Sequence, residues 1–152
     1  MLERLKNRER GFTLIEIVLV LAIAGLILLI VFLAVSGAEK ARRDTQRKQD
    51  AGRMSSEIEN YAGNTNGQIP TTLAQIQSVI GAGSSYFNTT TNPDPSGATY
   101  TVTFTTNAPT AAGGVSYSNN AVCPSSGATA TARNYELQVY LEQGGSYCVD
   151  NH

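Results

Sequence analysis

The sequence predicts an α+β protein in which one long N-terminal helix packs on a small antiparallel β-sheet. Three observations predict it. Residues 17–35 form a run of 19 residues without a charge, and helical periodicity continues beyond it in polar form to about residue 62. Farther on, Tyr100, Val102 and Phe104, and later Tyr135, Leu137, Val139 and Leu141, alternate with other residues as in half-buried strands. Between these stretches the chain is rich in Gly, Pro, Ser, Thr and Asn, the residues of turns and loops.

The apolar run comes first. As a helix it spans roughly 28 Å, close to the hydrocarbon thickness of a bilayer. Arg4, Lys6, Arg8 and Arg10 precede it, so a charged leader opens into a membrane-length span. Glu16 lies just inside the apolar helix, five residues after Gly11. A carboxylate in lipid costs on the order of 3 kcal/mol near the bilayer centre, so such a residue is a functional candidate whose partner must be found. The bland alternative is a glutamate near the headgroups that reaches out to water.

The stretch GFTLIEIVLVLAIAGLIL, beginning at Gly11, resembles the class III leader of type IV prepilins. The resemblance covers about a quarter of the chain. It implies a pilin-like fold and cleavage between Gly11 and Phe12 by a prepilin peptidase, which also methylates the new Phe12 amine. It makes Glu16 the assembly glutamate, paired with the Phe12 ammonium of a neighbouring subunit. The partners it implies are other copies of the chain or other pilins, a membrane assembly platform and a motor ATPase. The subunit would sit in the inner membrane as a single span before it joins an extracellular surface fibre. An ordinary signal peptide cut near 34–38, or a plain membrane anchor, explains neither the Gly11–Phe12 junction nor Glu16.

The division expected is a leader at 1–11, a transmembrane and fibre-core helix at 12–35, a soluble half of the same helix at 36–62, and a globular head at 63–152. Ser36-Gly37-Ala38-Glu39 permits a bend and has the spacing of a capping box that restarts a helix. Beyond it Glu39–Arg43 and Asp44–Lys48 are spaced as i,i+4 ion pairs, and Ala51, Met54, Ile58 and Tyr61 make one apolar stripe. Six cations and five anions crowd residues 39–59. They read equally as a solvated helix face and as salt bridges between subunits. Gly25 is present, but the proline common in the family's helix is missing: none occurs before Pro70.

In the head, Pro70-Thr71-Thr72 opens a short helix with Leu73, Ile76, Val79 and Ile80 on one face and Gly81 at its end. Residues 81–96 read as loop, with a sequon at Asn88-Thr89-Thr90 that carries little weight. Asp94-Pro95-Ser96-Gly97 is a turn, and Asp-Pro-x-Gly-x-x-Tyr resembles the turn before the first strand of pilins and type II secretion pseudopilins. Strands are expected at 99–105, 115–122 and 135–142, with 125–134 as loop and Gly144-Gly145 as a turn.

Cys123 and Cys148 are the only cysteines. An even pair in the distal region suits an oxidising compartment, which with the leader decides orientation against raw counts of four Lys/Arg before the span and six after it. Bridged, they would close a loop of roughly 26 residues and stabilise the small head by about 3.5 kcal/mol. The resemblance makes this the disulfide-closed C-terminal loop of pilins.

The composition argues against other classes. His152 is the only histidine and is terminal, so no catalytic set or zinc site assembles, and no cofactor is expected. Asp94, Glu142 and Asp150 match no calcium loop. After Arg53 the only cation is Arg133, which leaves no basic surface for nucleic acid. The expectation is a structural subunit and not an enzyme: a type IV pilin-like fibre subunit, or alternatively a type II secretion pseudopilin, with a non-polymerising single-span adhesin third.

Overall fold

The computed structural model describes residues 11–81, 83, 84, 87 and 92–152. The leader residues 1–10 and the Asn88-Thr89-Thr90 sequon lie outside them. Among the described residues the order is α1 (Leu14–Asn64), α2 (Leu73–Ile80), β1 (Thr101–Phe104), β2 (Gly114–Asn119), β3 (Tyr135–Tyr140) and β4 (Ser146–Asp150). Contacts divide the chain into Met1–Ala38 and Glu39–His152.

In the first unit α1 is apolar and wholly exposed: from Gly11 to Ala38 no side chain is buried. A hydrocarbon helix this exposed has to be covered by lipid or by other helices. The expected restart at Ser36 is absent. α1 is assigned without a break, and the Ser36 hydroxyl donates back to the Leu33 carbonyl at 3.1 Å instead of capping a new helix.

In the second unit the polar part of α1 supplies Ala51, Met54 and Ile58 of the expected stripe, all fully buried, while Tyr61 at its end is half-buried. They form one core with Ile76 and Ile80 of α2 and with Val102, Val115, Tyr117, Tyr135, Leu137 and Val139 of the sheet. Buried tyrosines need a partner for the hydroxyl. Tyr117 donates to the Pro70 carbonyl at 2.9 Å, and Tyr135 shares a 2.6 Å hydrogen bond with Ser55 of α1. α2 follows Thr72 and ends at Gly81 as expected, and it begins with a capping box in which Thr72 and Gln75 each satisfy the other's backbone N–H.

The sheet runs β1-β2-β3-β4. The β2–β3 and β3–β4 pairs are antiparallel as expected, but β1 and β2 are parallel, so the sheet is mixed. Alternation of side chains is the same in either sense; direction is set by the connection. A hairpin would place Gly114 beside Phe104, whereas the register sets Gly114 opposite Thr101. Residues 105–113 therefore return along β1, sharing a cleft with Thr101 and Thr103. The return ends at Gly113, where φ is +74° and a Cβ would stand 2.5 Å from the Thr99 carbonyl oxygen, so only glycine fits without strain. Other boundaries differ too, β1 and β2 ending at Phe104 and Asn119, short of the expected 105 and 122. β3 stops at Tyr140, which puts Leu141 in the turn, and residues 146–150 pair as a fourth strand after Gly144 and Gly145, both at positive φ.

Candidate functional site

Gly11, Phe12 and Thr13 precede the first helical turn, and Phe12 is 84% exposed. The proposed scissile peptide thus lies outside hydrogen-bonded structure. Among the described residues, no atom lies within 4 Å of where a Cβ on Gly11 would stand.

Glu16 sits in the first turn of α1, where an acidic group complements the helix dipole. Its Oε2 accepts from the Thr13 backbone N–H at 2.9 Å and from the Thr13 hydroxyl at 2.8 Å, and the Glu16 N–H donates back to Thr13 Oγ1 at 3.3 Å. This is a reciprocal capping box. Its Thr-x-x-Glu spacing stands in the sequence as plainly as the Ser36–Glu39 pattern, so Thr13 was legible there and was missed. Among the described residues no cation lies in ion-pair range of Glu16.

The second charged feature is the stem of α1 in the Glu39–His152 unit. Arg47 is 1% exposed and faces three carboxylates. Its Nε meets Asp94 Oδ2 at 2.6 Å, Nη2 meets Asp94 Oδ1 and Glu142 Oε1, each at 2.8 Å, and Nη1 meets Asp44 Oδ1 at 3.0 Å. Arg43 grips the same Glu142 with two bonds, at 2.9 and 2.7 Å. Asp44 in turn accepts the backbone N–H groups of Glu142 and Gln143, at 2.8 and 3.0 Å. The stem charges therefore join α1 to the 92–97 turn and to the β3–β4 turn of the same chain. Only the Glu39–Arg43 pair of the expected intrahelical set forms, at 3.9 Å; Lys48 lies over the Tyr147 ring.

Electrostatics follow from this packing. Hydrogen bonds from Arg43, then from Arg47, hold the Glu142 carboxyl down to about 2. Burial works against ionising Asp94, but hydrogen bonds from Arg47 and Ser96 outweigh it and leave its pKa lowered. Asp94 also organises its own turn, accepting from the Ser96 N–H and hydroxyl, while Tyr100 donates to Asp50 of α1 at 2.8 Å. The Asp-Pro-x-Gly-x-x-Tyr pattern thus has a physical content: both of its polar ends dock on the helix. Of the three acids considered for calcium, Asp94 and Glu142 do converge, but around a guanidinium, while Asp150 lies on β4.

Cys123 and Cys148 are bridged, with Cα atoms 5.9 Å apart. The Asp150 carboxylate accepts the Cys123 N–H at 2.8 Å, which fixes the start of the loop to the last strand.

The family described as the prokaryotic N-terminal methylation motif matches residues 6–32, which include Gly11, Phe12 and Glu16. No curated protein matches the chain. No solved structure matches it either. The motif, the apolar helix behind it and the α+β arrangement together match a pilin-like architecture, and the helix fits a single-pass membrane anchor.

Proposed function

We propose that the chain is the precursor of a structural subunit of a type IV pilus-like surface fibre. A prepilin peptidase cuts it between Gly11 and Phe12 and methylates the Phe12 amine. The observation that carries this reading is the methylation motif laid over the part of α1, up to Val35, whose apolar side chains are all exposed. Copies of that helix, drawn from the membrane by an assembly platform and motor ATPase, would bury it against one another and hold the fibre together. Glu16 lies at the end of the helix nearest Phe12, has no cation in ion-pair range among the described residues, and takes the Phe12 ammonium of an adjacent subunit as its counter-ion. The head stands outside the cytoplasm, where its disulfide is maintained.

The methylation motif suits a type II secretion pseudopilin equally; the disulfide-closed loop favours the pilin. The test is the intact mass and N-terminal sequence of the mature protein, followed by recovery of sheared surface fibres. A terminus at methylated Phe12 is expected. A terminus near residue 37 or 39 means conventional secretion and sinks the reading.

A further inference from the structure

The second face of the sheet is polar yet closed off. Ser116, Ser118, Glu136 and Gln138 point away from α1 and are nevertheless buried. Cys148 lies on this face, opposite Gln138, and the neighbouring cross-strand pair sets Glu136 against Asp150. The two carboxylates flank the disulfide. Glu136 Oε1 is 3.6 Å from Cys148 Sγ, and Asp150 holds the backbone N–H of Cys123. Glu136 accepts from the Gln138 side-chain amide and makes no ion pair among the described residues. Among the described residues Asp150 has one ion-pair partner, the His152 ring at 3.6 Å, and β2 contributes the neutral Ser118 opposite Glu136.

We propose that Glu136, assisted by Asp150, guards the Cys123–Cys148 bridge against thiol exchange. Exchange requires a thiolate to attack one sulfur in line, forming a new S–S bond as the old one breaks and the second sulfur leaves as a thiolate. Both routes meet the same carboxylate. Attack on Cys148 brings an anionic sulfur up to Glu136. Attack on Cys123, itself only 4% exposed, expels the Cys148 thiolate 3.6 Å from Glu136. A neighbouring negative charge disfavours the thiolate and makes it a poorer leaving group, the reverse of reactive cysteines beside cations. The bridge is therefore a lasting staple and not an exchangeable one. By the same chemistry its two thiols are slow to oxidise unaided in the folded head, so it is made before the sheet closes or by a dithiol oxidase.

The charge of the reductant reads this out. The oxidised full chain in a neutral detergent is reduced with cysteamine, 2-mercaptoethanol or 2-mercaptoethanesulfonate, and free thiols are counted by mass after alkylation. Rates are normalised to those on a small uncharged disulfide. The cationic thiol should outpace the anionic one on the wild type by roughly tenfold, and Glu136→Gln, which keeps the Gln138 hydrogen bond, should compress that ratio severalfold. Glu57→Gln changes net charge equally on the exposed stem and should leave the ratio untouched. An unchanged ratio in a cooperatively melting Glu136→Gln protein, or an equal change in Glu57→Gln, overturns the proposal. If Glu136→Gln does not melt cooperatively, Asp150→Asn takes its place with the same expected and overturning results.

Discussion

The edge of the Arg47 guanidinium meets the Asp94 carboxylate, Nε 2.6 Å from Oδ2 and Nη2 2.8 Å from Oδ1, with the two side chains 1% and 0% exposed. This pair joins residues 47 positions apart and fixes the turn before β1 to the helix. Its geometry is the two-pronged one that arginine alone supplies.

Removing Arg47 should therefore cost far more than losing a surface charge. Arg47→Met leaves Asp94 and Asp44 buried without their cation, a loss of about 3–5 kcal/mol. Arg47→Lys keeps the charge but loses the fork and should fall between. Chemical unfolding of the detergent-solubilised chain, followed by tyrosine signals of the head, checks both. A loss under about 1 kcal/mol for Arg47→Met would place the pair among weak surface bridges.

The same network makes the head acid-sensitive in a stated window. Glu142 has its pKa lowered from 4.5 to about 2 in the folded chain, and Asp94 is lowered too. For groups depressed on folding, the stability they add is complete above the unfolded value and is lost as pH falls through the folded one. Stability should thus hold steady above pH ~5 and decline between about 4.5 and 2. Glu142→Gln should be less stable near neutrality and show a shallower decline. Equal slopes for the two proteins would remove Glu142 from the account.

Gly113 marks the point where the return from β1 re-enters the sheet. Gly113→Ala forces a side chain into a left-handed backbone against the Thr99 carbonyl and should cost about 1–3 kcal/mol or more. Gly127→Ala, also at positive φ but with open space around it, separates the two causes. It should cost only the backbone part. A thermal melt that ranks Gly113→Ala no worse than Gly127→Ala would contradict the close approach.

The disulfide should matter to a head this small. Cys148→Ser should lower its stability by about 2–5 kcal/mol, and peptide mapping without reductant should find Cys123 and Cys148 joined in the exported protein. Two free thiols there would remove the staple and the compartment argument together.

Glu16 is the assembly test. Glu16→Ala should leave cleavage, membrane insertion and head folding intact, since it removes a costly charge from lipid and, among the described residues, loses side-chain hydrogen bonds to Thr13 alone. Each neighbour's Phe12 ammonium would then be unpaired in the fibre, at several kcal/mol per interface, and fibre yield should collapse. Shearing with microscopy measures the fibres, and an immunoblot of membranes measures the subunit. Normal fibres from a correctly cut Glu16→Ala protein would defeat the pairing, and a fall in membrane-bound subunit would point to biogenesis instead.

What the sequence determined by itself is whatever rests on local spacing. The uncharged run, the Ala51–Met54–Ile58 stripe, the start of α2 after Pro70-Thr71-Thr72, the alternation around Val102 and Leu137, and the leader pattern from Gly11 to Glu16 are all relations between residues a few positions apart, and helix and strand periods make them legible. Thr13–Glu16 is of this kind as well. Other features depend on which distant groups meet, and the tertiary structure alone decided those. The parallel sense of β1 and β2 was set by how residues 105–113 return, because alternation is blind to direction. The stem charges looked like a solvated helix face or a surface for another subunit, because Asp94 and Glu142 are remote in sequence. Packing the stripe on the sheet turns Asp44 and Arg47 inward with it, and once buried those charges had to find partners within the head.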